Sequence, residues 1–581
     1  MPSTRFFPDA SLSVVENLLR RSGSTEALVA IDERGVRHSR TWDELRHRTE
    51  QLAGALRQVG VGEGDRVVAW LPNAIEAVEV MLAAASLGAV YSSSSPDFGV
   101  NGVLDRFGQI EPTVLFAQDG YWYNGKHFDC LDRLEQIVAG LPTLRATVVV
   151  GDTARASSSG HHLFEDFLAG GEPVAPRRFG FDHPWYVLYS SGTTGVPKCI
   201  VHRTGGVLLQ HMKEHQLHCD VQPGDRVLYF TTTGWMMWNW LVSVLASGAT
   251  AVLYDGAPTA PNPDRLFDIV DSEKVTLLGV SAKYIDSVRK LKLAPMQTHR
   301  LSELRTLCST GSPLSPEGFD WVYESVKEDV HLASISGGTD LCGCFVGGDP
   351  TRPVWRGEIQ GPMLGMAVDV LDESRSSLRN QPLTPGELVC TVPFPSMPLG
   401  FWGDGAPGLP NPSTPGPKFR AAYFERFAGV WAQGDFASWT SHGGLIIHGR
   451  SDTTLNPGGV RIGTAEIYRV VEQIPEVLES CVFGQEWDND IRVVLLVRLA
   501  AGATLTDELV GDIKRRIRGA CTPRHVPALV LEVKDLPRTR SNKLVELALA
   551  DAVNGRKVRN SEAIANPECI DEIAAMPELR A

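Results

Sequence analysis

An apolar run from Trp185 to Tyr189 passes without interruption into Ser190-Ser191-Gly192-Thr193-Thr194-Gly195-Val196-Pro197-Lys198. A short apolar run closed by turn residues reads as a buried strand, so this loop leaves a sheet edge with its amides free to face a ligand. Gly192 and Gly195 admit backbone angles closed to other residues. Ser190, Ser191, Thr193 and Thr194 add hydroxyl donors, and Lys198 adds a cation. Free amides, hydroxyls and one positive charge in a single loop suit a polyphosphate. The spacing is not that of the Walker A loop, which ends Gly-Lys-Ser or Gly-Lys-Thr, and taken alone the segment reads equally as a Gly/Ser turn.

The region before it alternates helix and strand. Thr41-Trp42-Asp43-Glu44 has capping-box spacing and opens an amphipathic segment with Leu45, Leu52 and Leu56 on one face, ended near Gly60. A strand is expected over Arg66 to Leu71, then a helix over Asn73 to Leu87, a stop at Gly88 and another apolar run, Ala89 to Tyr91. This β-α-β order predicts an α/β fold of parallel-rich sheets covered by helices. The Pro- and Gly-dense segment Gly403 to Pro417 reads as a surface loop before a helix-like stretch, Phe419 to Phe427.

At 581 residues the chain exceeds one core, and a large subdivided body plus a smaller unit is expected. A formal net charge of −14 gives no basic field for nucleic acid or an anionic membrane. The ten cysteines are scattered, and Cys342-Gly343-Cys344 has no second pair at zinc spacing, so buried reduced thiols and a cytoplasmic enzyme are expected. Asp9 and Glu16 interrupt the apolar residues of the N-terminus, against a signal peptide, and no window reaches the length of a membrane span.

The loop at 190–198 resembles the phosphate-binding signature of adenylate-forming enzymes, which include acyl-CoA synthetases, peptide-synthetase adenylation domains and firefly-type luciferases. Further motifs stand in that superfamily's order: Gly337-Gly338-Thr339-Asp340, Gly434-Asp435, Gly449-Arg450-Ser451-Asp452 and a final motif ending at Lys543. The resemblance therefore covers nearly the whole chain. It implies a large N-terminal domain over residues 1–451 and a small mobile α+β domain over 452–581, hinged at Asp452.

Within the superfamily, Thr231-Thr232-Thr233-Gly234-Trp235-Met236-Met237-Trp238-Asn239-Trp240 is similar to the acetoacetyl-CoA synthetase group, as are Ser334 to Asp340, Trp355 to Gln360 and Ser396-Met397-Pro398. Read without that likeness, the tryptophan-rich run is a bulky core helix. Gly337 stands where acetyl-CoA synthetases carry a tryptophan that shortens the acyl pocket, so a longer acid is expected here. A 3-oxo group in that pocket needs a donor, from the indole of Trp235 or Trp238 or the amide of Asn239, with Gly337 and Gly338 completing the wall.

The resemblance also implies chemistry and roles. ATP and a carboxylate give acyl-AMP and pyrophosphate, and coenzyme A then takes the acyl group. Thr339 would contact phosphate, and Asp340 would hold Mg²⁺ where many relatives use Glu. Gly311-Ser312-Pro313 lies where the superfamily holds adenine, and Asp435 would accept from the ribose hydroxyls. Arg450 and Arg461 are candidate ribose or phosphate contacts. Lys543 would be the adenylation catalyst, and Gly458 and Gly459 would line the pantetheine tunnel. Asn542 replaces the usual glycine before that lysine, although Asn tolerates left-handed angles better than most residues. Phe7 to Leu19 resembles a segment that the acetoacetyl group carries further from its start. Other short 3-oxo, 3-hydroxy or branched acids remain alternatives, as does a non-catalytic nucleotide-binding relative; small-molecule substrates are the only partners implied.

Overall fold

The computed structural model describes residues 1–2, 4–151, 154–190, 197–405, 415–451, 455, 464–488, 490–521, 523–539, 544–558 and 564–580. Two large sheets dominate the N-terminal part. The first runs in the order His162–Leu163, Ala146–Val150, Val114–Gln118, Arg66–Trp70, Val90–Ser94, Pro184–Ser190, Lys198–Arg203 and Gly400–Phe401. Its pairs are parallel up to Pro184–Ser190 and antiparallel thereafter. The second runs His331–Ser334, Thr306–Thr310, Leu277–Ser281, Arg226–Tyr229, Thr250–Asp255, Glu26–Asp32 and Arg37–Thr41, parallel except for the last pair.

Local signals set these elements. The capping box at Thr41 and Glu44 is formed, and it starts the helix Trp42–Gln58. The helix Ile75–Leu87 ends at Gly88, whose φ of +75° is a left-handed stop. Every residue of that helix except Glu76 is buried, as expected of a helix held between two layers rather than on a surface. It packs between strands of both large sheets and joins them in one core.

Burial takes one charge with it. Glu79 is fully buried, and Arg48 Nε and Arg40 Nε donate to its Oε1 at 2.7 and 3.1 Å. Replacing Arg48 with Met removes the closer partner of a carboxylate that has no access to water. Chemical unfolding should show a loss of roughly 3 kcal/mol. A variant as stable as the unaltered protein would mean that Arg40 alone satisfies Glu79.

A four-stranded antiparallel sheet comes next, built from Val368–Leu371, Gly386–Cys390, Trp431–Trp439 and Leu445–Arg450. Beyond it, the strands Val477–Trp487, Asp490–Leu499 and Leu529–Glu532 form a separate sheet. The helices Thr464–Val471 and Asp507–Ala520 contribute to one core beside it, and Glu546–Val553 and Glu568–Ala574 to another. All ten cysteines are free, and all but Cys521 are buried. No helix among the described residues is long and apolar enough to cross a membrane.

Candidate active site

The strands Thr306–Thr310 and His331–Ser334 lie side by side in parallel, so the segments after them both leave from the carboxyl edge of the sheet. Ligands of open parallel sheets collect at such an edge. Ile335 N donates to Ser309 O at 2.9 Å and Thr310 Oγ1 to Ile335 O at 2.9 Å, which ties the two exits together. Gly311 turns the chain with φ +91°, and Gly311, Ser312 and Pro313 are exposed.

Ser336–Gly338 pairs with Gly343–Gly347, and the connection between them carries Thr339 and Asp340, both half-buried. Cys342, at φ +50°, closes the turn through Cys342 N to Thr339 O at 3.2 Å. The turn is clamped from the helical segment before it. His211 Nε2 lies 2.8 Å from Cys342 O and Nδ1 2.9 Å from Ser243 Oγ. Burial pushes the His211 imidazole down to about 4, so it is neutral at physiological pH. Its single proton must then sit on Nε2, facing the carbonyl, because a carbonyl oxygen only accepts. Glu214, wholly buried, accepts from Cys344 N at 2.8 Å and from Trp240 Nε1 at 2.8 Å. The hairpin of Asp340 is thus fastened to the tryptophan-rich helix.

That helix, Met236–Val242, is buried along its whole length. Trp238 stacks on Tyr91 with ring centroids 6.0 Å apart. Trp235 is half-buried at the helix N-cap, edge-on to Tyr229. Trp238 Nε1 and both amide atoms of Asn239 are buried with no hydrogen-bond partner among the described residues. The run is therefore core that carries unpaired polar atoms, as do other buried side chains such as Trp70 and Trp185.

Gly337 calls for a correction. A Cβ there would stand 2.0 Å from Gly343 O and 2.5 Å from Cys344 Cα, so the glycine is required by the close approach of the hairpin strands. The missing side chain opens toward backbone and not into an acyl cavity. Gly337→Ala should therefore lower activity with every acid alike, by about tenfold or more, and depress the melting temperature. A selective gain with acetate would restore the pocket-size reading. Gly338 faces the site instead: a Cβ there would lie 3.4 Å from Asp340 Oδ2 and 3.5 Å from Gln433 Nε2.

Ser190 pairs with Lys198 on the neighbouring antiparallel strand, and Ser190 Oγ is buried without a partner among the described residues. Lys198 Nζ sits over the rings of Tyr423 and Phe401, at 5.5 and 5.8 Å from their centroids. Tyr423 in turn donates from its hydroxyl to Asp340 Oδ1 at 2.5 Å. On the strand Trp431–Trp439, Gly434 takes φ +89°, and Gln433 Nε2 donates to Asp435 Oδ2 at 2.8 Å. Arg450 Nη1 stands 3.4 Å from Asp435 Oδ1. Lys198, Asp340, Asp435 and Arg450, far apart in sequence, are linked through Tyr423 and its neighbours. Ser191, Gly192, Thr193, Thr194, Gly195, Asp452, Gly458, Gly459, Arg461, Asn542 and Lys543 lie outside the described residues. Two surface cavities, one at Val14, Phe179 and Thr204 and one at Ser11, Glu16 and Arg178, involve none of these groups.

The sequence profile of the AMP-binding enzymes matches residues 15–402. The acetoacetyl-coenzyme A synthetase of Rhizobium meliloti is 55% identical over 587 residues, covering 100% of this chain and 88% of that protein. The chain belongs to the acetoacetyl-CoA synthetase family of AMP-binding enzymes. The Gallus gallus member is 44% identical, with 99% of this chain and 87% of that one covered. Among solved structures, the acetoacetyl-CoA synthetase of Streptomyces lividans superposes with a TM-score of 0.91 at 42% identity, covering 100% of this chain and 88% of that one. An anthranilate CoA ligase in complex with anthranoyl-AMP shares the fold, with a TM-score of 0.77 at 20% identity and coverage of 92% and 96%. The fold is that of the adenylate-forming enzymes, and the chain is a ligase of that kind.

Sequence reading alone missed Tyr423, Gln433, His211 and Glu214. Gln433 was within reach of it: two residues before Asp435 on a strand, it is placed to share that residue's face. Tyr423 carried no such signal, because its partners Asp340 and Lys198 are distant in the chain.

Proposed function

We propose that this chain joins acetoacetate to coenzyme A through acetoacetyl-AMP, consuming ATP and releasing AMP and pyrophosphate. The observation that carries the proposal is the convergence of Lys198 and Asp340 on Tyr423, since a cation and a carboxylate brought together are what a bound triphosphate and its metal require. The carboxylate of the acid is a weak nucleophile, so this site must act by positioning and by charge compensation. Lys198 would meet the phosphates, Asp435 the ribose, and Gly311-Ser312-Pro313 the adenine.

Mg²⁺ fits Asp340. It favours one or two carboxylates together with substrate phosphates over a cage of side chains, and it would neutralise phosphate charge. Asp340 Oδ1 is taken by Tyr423, and Oδ2 lies on the side of Gly338. Acetoacetate is favoured by Trp238 Nε1 and Asn239 Nδ2, buried donors without a partner among the described residues, either of which a 3-oxo oxygen would accept from, and by the likeness to proteins named acetoacetyl-CoA synthetases. The ten free cysteines suit a reducing, cytoplasmic setting.

For the second step the reading keeps two domains, 1–451 and 452–581, pivoting at Asp452 so that Lys543 withdraws and Gly458 and Gly459 meet the pantetheine arm. In support, the contacts from helix Ala282–Lys290 to the last third of the chain include exchangeable polar ones: Lys290 Nζ to Leu478 O at 2.6 Å, and Lys283 Nζ near Glu479 at 3.6 Å. Incubation with acetoacetate, ATP, Mg²⁺ and coenzyme A should yield AMP, pyrophosphate and acetoacetyl thioester in equal amounts. Formation of ADP and phosphate would overturn the adenylate mechanism.

A further inference from the structure

Two carboxylates, Asp340 and Asp435, serve opposite ends of the proposed nucleotide, and both are gripped by side chains that have no assigned role. Tyr423 is buried, and its ring lies flat on Trp431, with centroids 3.9 Å apart and planes 12° from parallel. Phe401 and Phe419 meet the same ring edge-on. Packing on these sides fixes where the hydroxyl points, and it points at Asp340 Oδ1. From the indole the chain of contacts continues: Trp431 Nε1 donates to Gln433 Oε1 at 3.3 Å, and Gln433 Nε2 donates to Asp435 Oδ2 at 2.8 Å.

The direction of each bond is settled by chemistry. An indole nitrogen only donates and a carboxylate only accepts, so the amide of Gln433 must turn its oxygen to Trp431 and its nitrogen to Asp435. Gln433 is itself buried, so this orientation has no competition from bulk water. One brace therefore runs from the carboxylate at the phosphate end to the carboxylate at the ribose end.

We propose that Tyr423 and Gln433, joined through Trp431, are positioning residues that hold Asp340 and Asp435 in the geometry a nucleotide needs before it arrives. Tyr423 occupies Oδ1 of Asp340 and leaves Oδ2 for the metal and phosphates. Gln433 fixes the rotation of the Asp435 carboxylate and so its aim at the ribose. Fixed dipoles and charges of this kind lower the reorganisation that binding and reaction would otherwise demand.

The inference rests on the reading of this site as an ATP site, so the unaltered protein must first bind AMP and MgATP by calorimetry, with acid and coenzyme A omitted to prevent turnover. Failure there would remove the nucleotide reading itself. Given binding, Tyr423→Phe should weaken MgATP about tenfold while AMP, which does not reach the metal, binds within about twofold of normal. Gln433→Met should weaken AMP and MgATP alike, by about tenfold, because both carry the ribose. Equal loss of both ligands in Tyr423→Phe would mean a merely structural tyrosine and overturn its role, as would unchanged MgATP binding. Unchanged AMP binding in Gln433→Met would overturn the brace even where Tyr423→Phe fails to fold.

Discussion

Replacing Lys543 with Ala is expected to reduce acyl-AMP formation from acid and ATP by at least about 100-fold, the range found when a single charge-stabilising donor is removed from an active site. Thioester formation from pre-made acyl-AMP and coenzyme A should stay within a few-fold of normal. The asymmetry stems from the proposed division of labour. A lysine that neutralises charge developing at the α-phosphorus has work only in the first half-reaction, and in this proposal the domain that carries it turns away for the second. Separate single-turnover assays of the two halves read this out. Equal loss of both would show that Lys543 supports the fold or the coenzyme A step and not adenylation. Asn542→Gly is the informative companion: activity close to normal would show that Asn supplies the turn the motif usually builds with glycine.

Asp340→Asn is expected to have the second large effect, a fall of about 100-fold or more in adenylation. The substitution keeps the shape of the side chain and still offers Tyr423 an oxygen to donate to, so the hairpin should persist. What it removes is the negative charge that a hard cation requires. Raising Mg²⁺ should recover part of the lost rate, since weaker ion binding is the cause. A variant within about tenfold of normal at ordinary Mg²⁺ would remove Asp340 from the metal site.

Much of the architecture was legible because the relevant signals are local. The apolar run before Ser191 is the strand Pro184–Ser190, and the spacing of Thr41 and Glu44 makes a capping box. Gly88 stops the helix Ile75–Leu87, and the β-α-β order gives parallel pairing of Arg66–Trp70 with Val90–Ser94. The helix expected over Phe419 to Phe427 is observed slightly earlier, at Pro417–Phe424, where Pro417 takes a first-turn position. Relations between segments distant in sequence were not legible. Nothing in the sequence pairs Tyr423 with Asp340, or Glu214 with Trp240; those contacts exist only once the sheets are assembled.

The tryptophan-rich run and Gly337 show why residue type alone misleads. Trp238 and Trp240 are core residues by burial, yet Trp240 has a carboxylate for its indole, while Trp238 Nε1 and the Asn239 amide have no partner among the described residues. Burial and an unmet hydrogen bond are separate facts, and residue type predicts neither. At Gly337 an absent side chain suggested space, but the direction its Cβ would take decides the matter, and that direction is blocked by Gly343.

The most direct test of the account is kcat/KM for pyrophosphate release by the purified protein with ATP, Mg²⁺ and coenzyme A across acetate, propionate, butyrate, 3-hydroxybutyrate and acetoacetate. The account predicts a preference for acetoacetate over butyrate of at least about 100-fold, because an acid without the 3-oxo oxygen leaves the buried donors near Trp238 and Asn239 unmet. Equal turnover of butyrate and acetoacetate would contradict it.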